Sequence, residues 1–316
     1  MQVFRKGMKV LIVCKGDSGI ISPFIVDQVN ALSKLRISIE YFTIEQKGVL
    51  GYLKSLPSLK KRIRELNPNL IHAHYGLSGL LATMQRSCPV VITFHGSDIN
   101  LRRNRILSFL ASRLSIANIY VHPDLPKRIV DRRNVPIIPC GVDLKVFFPI
   151  DKLRAREAMG LSQDRKYGLF SSSFTNGVKN YPLAKEALSS IDLSIELIEL
   201  KGFNRRETNY LMNAVDFLLV TSFSETGPLV VKEAMACNCP IVSTNVGDVN
   251  NNSGDLEGHF ITNYNAQNVA QNIKKVLTFA ESKGKTVGRD RIINLELDAH
   301  RIATRILKVY QNVKGY

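Results

Sequence analysis

The second half of the chain contains the stretch FLLVTSFSETGPLVVKEAMA at residues 217–236. It opens with an apolar run of strand length, and its last nine residues suit a helix. Pro228 favours the first helical position, where its missing N–H costs nothing, and Thr226 or Gly227 is expected to cap the helix. The stretch therefore predicts a strand, a loop and a helix whose N-terminal amides and positive dipole end suit a phosphate.

The same alternation of apolar runs and helix-length segments fills the rest of the chain. We predict strands at residues 9–14, 37–43, 69–73, 89–94, 118–121 and 135–138, and again at 168–171, 194–199, 217–221, 240–243 and 259–261. We predict helices at 23–35, 50–66, 77–85, 103–114, 181–190, 206–213, 228–236, 268–279 and 297–313. Strands that are apolar throughout indicate parallel sheets covered on both faces. The pattern predicts an α/β protein with two doubly wound, Rossmann-like domains.

The length of 316 residues suits two such domains. The strand pattern restarts after residues 139–151, which contain two prolines and a glycine, so we place the join there. We predict an N-terminal domain at 1–145, a C-terminal domain at 146–295 and a final helix at 296–316 that packs back toward the first domain.

The composition, 45% hydrophobic and 22% charged, is that of an ordinary globular protein and excludes wholesale disorder, collagen and a disulfide scaffold. The first apolar run is too short for a signal peptide, and no run reaches the roughly 18–20 residues of a membrane span. The five cysteines are odd in number and scattered, which favours reduced thiols in the cytoplasm over disulfides or a zinc site.

The positive charge is concentrated in the first half of the chain. Residues 1–150 carry 22 Lys and Arg against 9 Asp and Glu, whereas residues 151–316 carry 21 against 18. This asymmetry predicts that the first domain meets something anionic, such as a phosphorylated substrate, a membrane face or nucleic acid.

Two common nucleotide-binding fingerprints are missing from the sequence. The first turn, CKGDSGI at residues 14–20, has glycines only at 16 and 19, so G-x-G-x-x-G is not formed, and the P-loop pattern is absent. A plain dehydrogenase and a P-loop nucleotidase are therefore disfavoured.

Four segments together resemble a known family. The run SETGPLVVKEAMA at 224–236, followed by CNCPIVSTNVGD, resembles the E-x7-E signature of the retaining family 4 glycosyltransferases. NPNLIHAHYG at 67–76, TFHGSD at 93–98 and PCGVD at 139–143 resemble further motifs of that family, in its order. The resemblance covers nearly the whole chain and implies the GT-B fold, in which two Rossmann-like domains face each other across a cleft.

The resemblance also implies roles for individual residues. Glu225 contacts the hydroxyls of the donor sugar, and Glu233 binds the nucleotide ribose. His95 lies against the donor sugar and the reacting centre, so His95 and Glu225 are the catalytic candidates. The donor phosphate and sugar are held by the backbone at the start of the helix, that is by Thr226, Gly227, Pro228 and Leu229.

One segment departs from the family. Where the family has G-R-L…K-G, this chain reads FSSSFTNGVKN at 170–180. Lys179 fits the lysine that grips the donor diphosphate, but no arginine stands in the arginine position. Ser172, Ser173 and backbone N–H groups are the alternative hydrogen-bond donors, and the donor diphosphate is held by one positive charge fewer than in the family.

The acceptor side is less specific. Gly16, Asp98, Arg102 and Arg103 are the candidate acceptor or cleft residues, with Asp98 orienting either the acceptor or a loop. The arginines, with Arg105, either meet a lipid diphosphate or face solvent. Of His72 and His74, which point the same way on a strand, one is expected to pack beneath the site.

No metal or cofactor is predicted. The sequence has no D-x-D carboxylate pair, and a helix N-terminus with Lys179 can meet the leaving diphosphate. The resemblance implies transfer with retention through an oxocarbenium-like transition state, with the departing phosphate as the base.

The segment 50–66 has basic residues at 60, 61, 62 and 64 beside apolar ones and a proline, Pro57, near its start. It is either a basic amphipathic helix that lies on an anionic membrane or a crossover helix with its charges in water.

These observations predict a cytoplasmic glycosyltransferase, peripheral on the inner membrane face, that uses a UDP- or GDP-sugar and a lipid-linked or saccharide acceptor. The alternatives are a GT-B sugar-nucleotide epimerase or hydrolase, a non-catalytic donor-binding protein and a basic nucleic-acid-binding protein. We predict no nucleic-acid partner, because no aromatic residues are interleaved with the basic ones and no reader motif is present.

Overall fold

The computed structural model describes residues 7–17, 20–46 and 48–314. The chain forms two compact units. Unit 1 holds the residues up to Cys140 and those from Ala299 on, and unit 2 holds Gly141–Asp298. The division falls a few residues before the predicted boundary at 145.

Unit 1 contains a mostly parallel sheet. Its strands are β1 (Met8–Asp17), β2 (Ile20–Ile21), β3 (Ile37–Ile44), β4 (Leu70–His74), β5 (Val90–Phe94) and β6 (Ala117–Tyr120). Parallel pairing gives the order β3-β1-β4-β5-β6, and β2 adds a short antiparallel pair at the end of β1. Every residue of β4 and β5 is buried, as parallel strands covered on both faces require.

The helices of unit 1 cover the sheet on two sides. They are α1 (Pro23–Ser33), α2 (Gly48–Lys54), α3 (Leu56–Leu66), α4 (Gly76–Thr83), α5 (Ser97–Asn100), α6 (Arg102–Leu114) and α7 (Asp124–Arg128). One core cluster joins the sheet to α2, α3, α4 and α6 through residues such as Tyr52, Leu59, Leu81 and Ala111. The other face packs on α1 through Ile25, Val29 and Leu32.

Unit 2 repeats the architecture. Its strands are β7 (Lys166–Phe170), β8 (Ile195–Glu199), β9 (Phe217–Val220), β10 (Ile241–Thr244) and β11 (His259–Thr262), all parallel, in the order β11-β10-β9-β7-β8. Its helices are α8 (Lys152–Met159), α9 (Tyr181–Ser189), α10 (Arg205–Ala214), α11 (Leu229–Ala236), α12 (Val249–Ser253), α13 (Ala266–Ser282) and α14 (Gly288–Asn294). Helices α9 and α13 cover one face, and α10, α11 and α14 the other. The predicted class of two Rossmann-like domains is confirmed.

The last helix, α15 (Ala299–Lys314), returns to unit 1. Ile302, Ala303, Ile306 and Tyr310 are buried in the same cluster as α1, beneath β1 and β4. Among the described residues, no helix is long and apolar enough to cross a membrane.

Two predicted elements differ from those observed, and a proline explains each. The predicted strand 135–138 makes only a single bridge, between Ile137 and Tyr120, because Pro136 has no N–H to donate to a ladder. The predicted helix 50–66 is split into α2 and α3, since the ring of Pro57 would clash with the carbonyl of Leu53 in one continuous helix.

A buried ion cluster fixes α8 to the sheet of unit 2. The Asp216 carboxylate binds Lys152 Nζ at 2.5 Å and Arg156 Nη2 at 3.2 Å, and it accepts the Tyr167 N–H at 2.7 Å. Arg156 is 5% exposed and also donates to the Ala214 carbonyl at 2.9 Å. Removal of Asp216 would leave a buried guanidinium without its counter-charge.

We expect Asp216→Ala to lower the free energy of unfolding of unit 2 by about 3–5 kcal/mol, because breaking a buried pair strands the partner charge. The matched control is Glu196→Ala, whose pair with Arg165 spans 3.3 Å in solvent and is worth about 1 kcal/mol or less. Urea unfolding followed by circular dichroism measures both. Equal losses of unfolding free energy in the two variants would contradict a stabilising role for the buried ion cluster around Asp216.

Candidate functional site

The strand–loop–helix stretch forms much as its sequence predicts. Strand β9 ends at Val220, and α11 begins at Leu229. Pro228 occupies the N-cap rather than the first helical position, so Thr226 and Gly227 lie in the loop before the cap. The predicted position of Pro228 was therefore wrong by one residue. The proline has no hydrogen-bonding side-chain group, so no side chain caps α11 from this position.

Glu225 lies in this loop and is held by two donors. Its Oε1 is 2.6 Å from Lys179 Nζ and 2.8 Å from the Ser222 hydroxyl. The side chains of Glu225 and Lys179 are each 17% exposed. The fold thus brings together a predicted catalytic residue and a predicted phosphate-binding residue that are 46 positions apart.

Lys179 reaches Glu225 because its turn is attached to the β9 loop. A 3-10 turn at Gly177–Lys179 receives the Phe223 N–H on the Val178 carbonyl at 2.9 Å. The Thr221 hydroxyl donates to the Lys179 carbonyl at 2.9 Å. These two bonds fix the lysine backbone against the loop that carries Glu225.

Glu233 lies in the second turn of α11 and pairs with a residue that the sequence did not single out. Its Oε1 is 2.5 Å from Arg205 Nη1, and the glutamate side chain is only 5% exposed. The Arg205 guanidinium also lies 4.5 Å from the centre of the Phe147 ring. Arg205 is the first residue of α10, where the helix dipole disfavours a cation. This unfavourable position is the sequence feature that could have identified Arg205 as a candidate site residue.

A tight turn supports the loop at Thr226 and Gly227. Gly247 has a φ of +55°, and a Cβ there would lie 2.7 Å from the Thr226 carbonyl oxygen. Asp248, next in the chain, pairs with the fully buried Lys232 of α11 at 2.9 Å. The ion pair and the glycine together fix the loop backbone that is predicted to hold donor phosphate.

The two predicted serine donors follow β7. The Ser172 hydroxyl accepts from Asn176 Nδ2 at 3.4 Å, and the Ser173 hydroxyl lies 2.9 Å from that of Thr175. Both side chains are half-buried. They lie in the loop that leads to Lys179, so the structure groups them with the residues above.

In unit 1, three histidines form a packed array, with His72 and His74 in β4 and His95 directly after β5. His74 Nδ1 is 2.9 Å from His95 Nε2, and the His72 ring lies 4.6 Å from the His74 ring. His72 Nδ1 bonds Tyr310 of α15 at 2.6 Å, and its Nε2 bonds the Thr93 hydroxyl at 2.7 Å. The predicted site residue His95 therefore has a buried histidine directly behind it.

The array is uncharged near neutral pH. Burial lowers the pKa of His74 to about 3, and burial together with the neighbouring rings lowers the pKa of His72 and His95 well below the usual value. His74 Nε2 has no hydrogen-bond partner among the described residues. Since an orphaned N–H is costly, we assign the proton of His74 to Nδ1, which donates it to His95 Nε2. His95 then carries its own proton on Nδ1, which lies 3.9 Å from Cys140 Sγ.

Tyr75, between β4 and α4, is a second residue that sequence reasoning missed. Its backbone has φ 72° and ψ 150°, a conformation normally restricted to glycine. Its ring centre lies 4.7 Å from that of His95, and the ring centre of Phe24 lies 4.9 Å from the same histidine. The aromatic pair fixes the His95 ring, at the cost of local backbone strain.

Asp98 is buried and bound to backbone. Its Oδ1 accepts the Gly96 N–H at 2.8 Å, and its Oδ2 accepts the Gly76 N–H at 3.0 Å. Burial raises its pKa to about 6, although these bonds oppose the shift. The contacts support the loop-orienting alternative of its two predicted roles, because the carboxylate ties the loop after His95 to the start of α4.

The remaining acceptor candidates lie apart from this network. Gly16 is buried at the end of β1, where a Cβ would lie 2.3 Å from Glu45 Oε1. Arg102 begins α6 and is exposed. The side chain of Arg103 lies outside the described residues. Within the described part of the chain, no group of three or more His, Cys, Asp or Glu side chains is placed to hold a metal ion.

Solved structures share this fold over nearly the whole chain. Sucrose-phosphate synthase from Thermosynechococcus elongatus aligns with a TM-score of 0.82 at 18% identity, covering 97% of this chain and 99% of that one. HepE of Anabaena, in complex with UDP and glucose, aligns with a TM-score of 0.77 at 18% identity, covering 96% and 100%. The two parallel sheets therefore define a GT-B fold.

Two family models match the chain. The model for Glycosyltransferase Family 4 matches residues 4–146, and that for Glycosyl transferases group 1 matches residues 177–278. The two matches fall on the two halves of the chain, and they confirm the resemblance to the family 4 glycosyltransferases seen in its motifs.

Curated relatives share about a quarter of their aligned residues with this chain. The putative teichuronic acid biosynthesis glycosyltransferase TuaC of Bacillus subtilis is 26% identical over 67% of this chain and 62% of its own length. The D-inositol 3-phosphate glycosyltransferase of Pseudarthrobacter chlorophenolicus is 24% identical over 73% of this chain and 75% of its own. The chain thus spans less than two thirds of the length of TuaC.

The lowered histidine pKa values predict that unit 1 loses stability in acid. The unfolded chain binds protons on these histidines below about pH 6.5, whereas folded His74 does so only near pH 3. At pH 5 this difference costs about 2 kcal/mol for His74 alone. Asp98 acts in the opposite direction, because its pKa is raised to about 6, but it is one group against three.

We therefore expect the urea midpoint of unit 1 to fall between pH 7 and pH 5. His74→Phe should flatten this dependence, since it removes one of the three titrating groups, while His300→Asn on the exposed face of α15 should not. A midpoint that is constant or rises as the pH falls would show that the histidines are not held neutral.

Proposed function

We propose that this chain is a retaining glycosyltransferase that moves a sugar from a nucleotide-sugar donor to a hydroxyl group of a lipid-linked or saccharide acceptor. The observation that carries the proposal is the arrangement around the start of α11. Two carboxylates, Glu225 and Glu233, lie on either side of the loop 226–228, and each is paired with a cation, Lys179 or Arg205. Carboxylates for sugar and ribose hydroxyls, with cations for phosphates, match the parts of a sugar nucleotide.

Donor binding exchanges partners at both pairs. Sugar hydroxyls donate to Glu225 while Lys179 turns to the diphosphate, and ribose hydroxyls donate to Glu233 while Arg205 turns to the diphosphate. Arg205 thereby supplies, from α10, the second cation that the motif at 170–180 lacks. The exposed part of its side chain, 28%, leaves room for this movement.

The reaction step is a substitution at the anomeric carbon. The bond from that carbon to the diphosphate oxygen breaks, and its electron pair stays on the phosphate. The acceptor oxygen forms the new bond on the same face and passes its proton to the departing phosphate. Lys179, Arg205 and the first amides of α11 meet the growing negative charge.

Unit 1 supplies the acceptor side. His95, held neutral with its proton on Nδ1, can donate to an oxygen of the reacting sugar without adding a full charge. The excess of Lys and Arg in residues 1–150 favours an acceptor that carries phosphate. One relative is named for teichuronic acid biosynthesis and another for D-inositol 3-phosphate, which supports a role in cell-surface polysaccharide or glycolipid synthesis.

The roles of Glu233 and Arg205 are separable by calorimetry. We expect Glu233→Gln to weaken binding of UDP or GDP and of the matching nucleoside about tenfold or more, because both ligands carry the ribose. Arg205→Gln should weaken the diphosphate by a similar factor but leave the nucleoside nearly unchanged.

Glu196→Gln, on the exposed edge of β8, is the matched control and should bind both ligands normally. Unchanged nucleotide affinity in Glu233→Gln would remove that residue from the site. Equal effects of Arg205→Gln on nucleoside and diphosphate would show that the arginine acts only by holding Glu233.

Transfer should not require a divalent metal ion, because cations and helix amides meet the leaving group in this proposal. We expect turnover with a UDP- or GDP-sugar to continue in EDTA at its original rate. The measurement is nucleotide release with and without chelator. Loss of activity in EDTA, restored by added magnesium or manganese, would refute this account of the leaving group.

A further inference from the structure

One layer of unit 1 exposes an unusual number of apolar side chains. Helices α2, α3, α4 and α6 cover the same face of the sheet, and α4 is largely buried beside α2 and α6. Of the twenty large hydrophobic side chains exposed in the described ranges, nine belong to this layer. They are Val49, Leu50, Leu53, Met84, Leu101, Ile106, Leu110, Leu114 and Ile116. We call them, with the helices that carry them, the α2–α6 face.

Helix α6 exposes large apolar side chains and buries small ones, which is the reverse of an ordinary surface helix. Its outward side presents Ile106, Leu110 and Leu114, one turn apart, with exposures of 68%, 45% and 59%. Its inward side buries small residues instead: Ser108, Ala111 and Ser112. A soluble surface helix normally buries the large apolar residues and exposes the polar ones.

The reversal has a packing reason. Helix α4 approaches so closely that a Cβ on Gly76 would lie 2.0 Å from the Ser108 hydroxyl. Only small side chains fit between the two helices, so Ser108 and Ala111 occupy the contact while Ile106, Leu110 and Leu114 lie on the exposed side of α6. A stripe of exposed large apolar side chains on one helix, as at Ile106, Leu110 and Leu114, suits an interaction site.

The charge of the α2–α6 face is almost entirely positive. Seven basic residues are exposed on the same elements and their ends: Lys54, Lys60, Lys61, Arg64, Arg86, Arg102 and Arg113. Within residues 48–66 and 84–116 the acidic residues are Glu65, which pairs with Lys61 at 3.9 Å, and the buried Asp98. The partner is therefore apolar and anionic at once.

We propose that the α2–α6 face docks on an anionic phospholipid bilayer. The apolar side chains of α2 and α6 enter the interfacial layer, and the surrounding arginines and lysines meet lipid phosphates. A second copy of the chain fits less well, because the face would meet seven like charges with one exposed carboxylate to offset them. As the route to a lipid-linked acceptor the inference rests on the proposed function, but docking itself needs no turnover.

This surface differs from the one that the sequence alone suggested. Helix α3 carries the basic run at 60–64, but Arg62 is bound to Glu40 at 3.1 Å and Lys61 to Glu65. Leu59 and Ile63 of α3 are buried in the core, as in an ordinary crossover helix. The apolar part of the docking surface lies on α6 and α2.

The chain has no tryptophan, so one can be introduced as a reporter. Leu110→Trp should bind vesicles of phosphatidylcholine mixed with phosphatidylglycerol, with a blue shift of its emission and quenching by brominated acyl chains. The control is Ile293→Trp, at an exposed apolar position of unit 2, whose emission should not change. A reporter at 110 that binds vesicles with no shift or quenching would overturn insertion of α6.

Co-sedimentation separates the apolar and charged contributions. We expect the triple variant Ile106→Ser, Leu110→Ser, Leu114→Ser to bind the mixed vesicles at least tenfold more weakly. Replacing Arg86, Arg102 and Arg113 by Gln should weaken binding about a hundredfold and reduce its salt dependence. The matched control replaces Leu153, Val287 and Ile293 of unit 2 by Ser and should bind normally.

Several outcomes would overturn the proposal. Equal binding of the protein to vesicles of phosphatidylcholine alone, or unchanged binding of the α6 triple variant, would do so. So would concentration-dependent dimers that vanish in that variant without vesicle binding, or tight binding of RNA in preference to vesicles. Glu233→Gln should dock normally while binding the donor nucleotide about tenfold or more weakly, so failure of docking and failure of the proposed transfer are distinguishable.

Discussion

Burial of both sheets on both faces is the constraint from which the placement of every functional group follows. A polar side chain inside such a strand has no water to bind and must find a partner in the protein. His72, in the middle of β4, meets this demand with two hydroxyl groups, those of Thr93 and Tyr310. The other chemistry-bearing groups lie where strands end. His74 ends β4, His95 follows β5, and Glu225 follows β9. Because the parallel strands of one sheet end on the same side, the two histidines lie together at that edge of the first sheet, and Glu225 lies at the corresponding edge of the second.

The same burial is the reason why the fold could be predicted from the sequence. Short apolar runs such as 9–14 and 217–220 are typical of strands covered on both faces, so the sequence alone predicts these strands. The misses are elements whose existence depends on neighbours. Helix α12 reads VNNNS, with no apolar periodicity, and forms because Val249 packs into the core of unit 2. The strand at 135–138 and the helix at 50–66 were predicted too long, because a proline interrupts each of them.

The candidate site was predictable to the extent that its residues share one stretch of chain. Glu225, Glu233 and the loop between them are such a case, and Lys179 was found from its motif. Arg205 was not, since its partner lies on another helix and only the packing of α10 beside α11 brings them to 2.5 Å. Tyr75 was missed for a different reason: the strain at φ 72° is a property of the folded backbone and leaves no mark in residue type. The reversed polarity of α6 likewise becomes visible only with its partner helix in place.

The charge pairs of unit 2 bear on how a site with one motif arginine fewer can still hold a diphosphate. Glu233 is nearly buried, and a buried carboxylate without a partner costs several kcal/mol. Under the proposed function, the two hydroxyls of a ribose take the place of Arg205 as donors to Glu233. The arginine then becomes available to phosphate when a ribose is bound. Lys179 and Glu225 exchange partners in the same way, with the sugar hydroxyls in place of the ribose hydroxyls. Under the proposed function, each cation is thus made available by the part of the donor that its own carboxylate recognises. A free phosphate ion brings neither ribose nor sugar hydroxyls, so under the proposed function it does not release either cation from its glutamate and binds weakly.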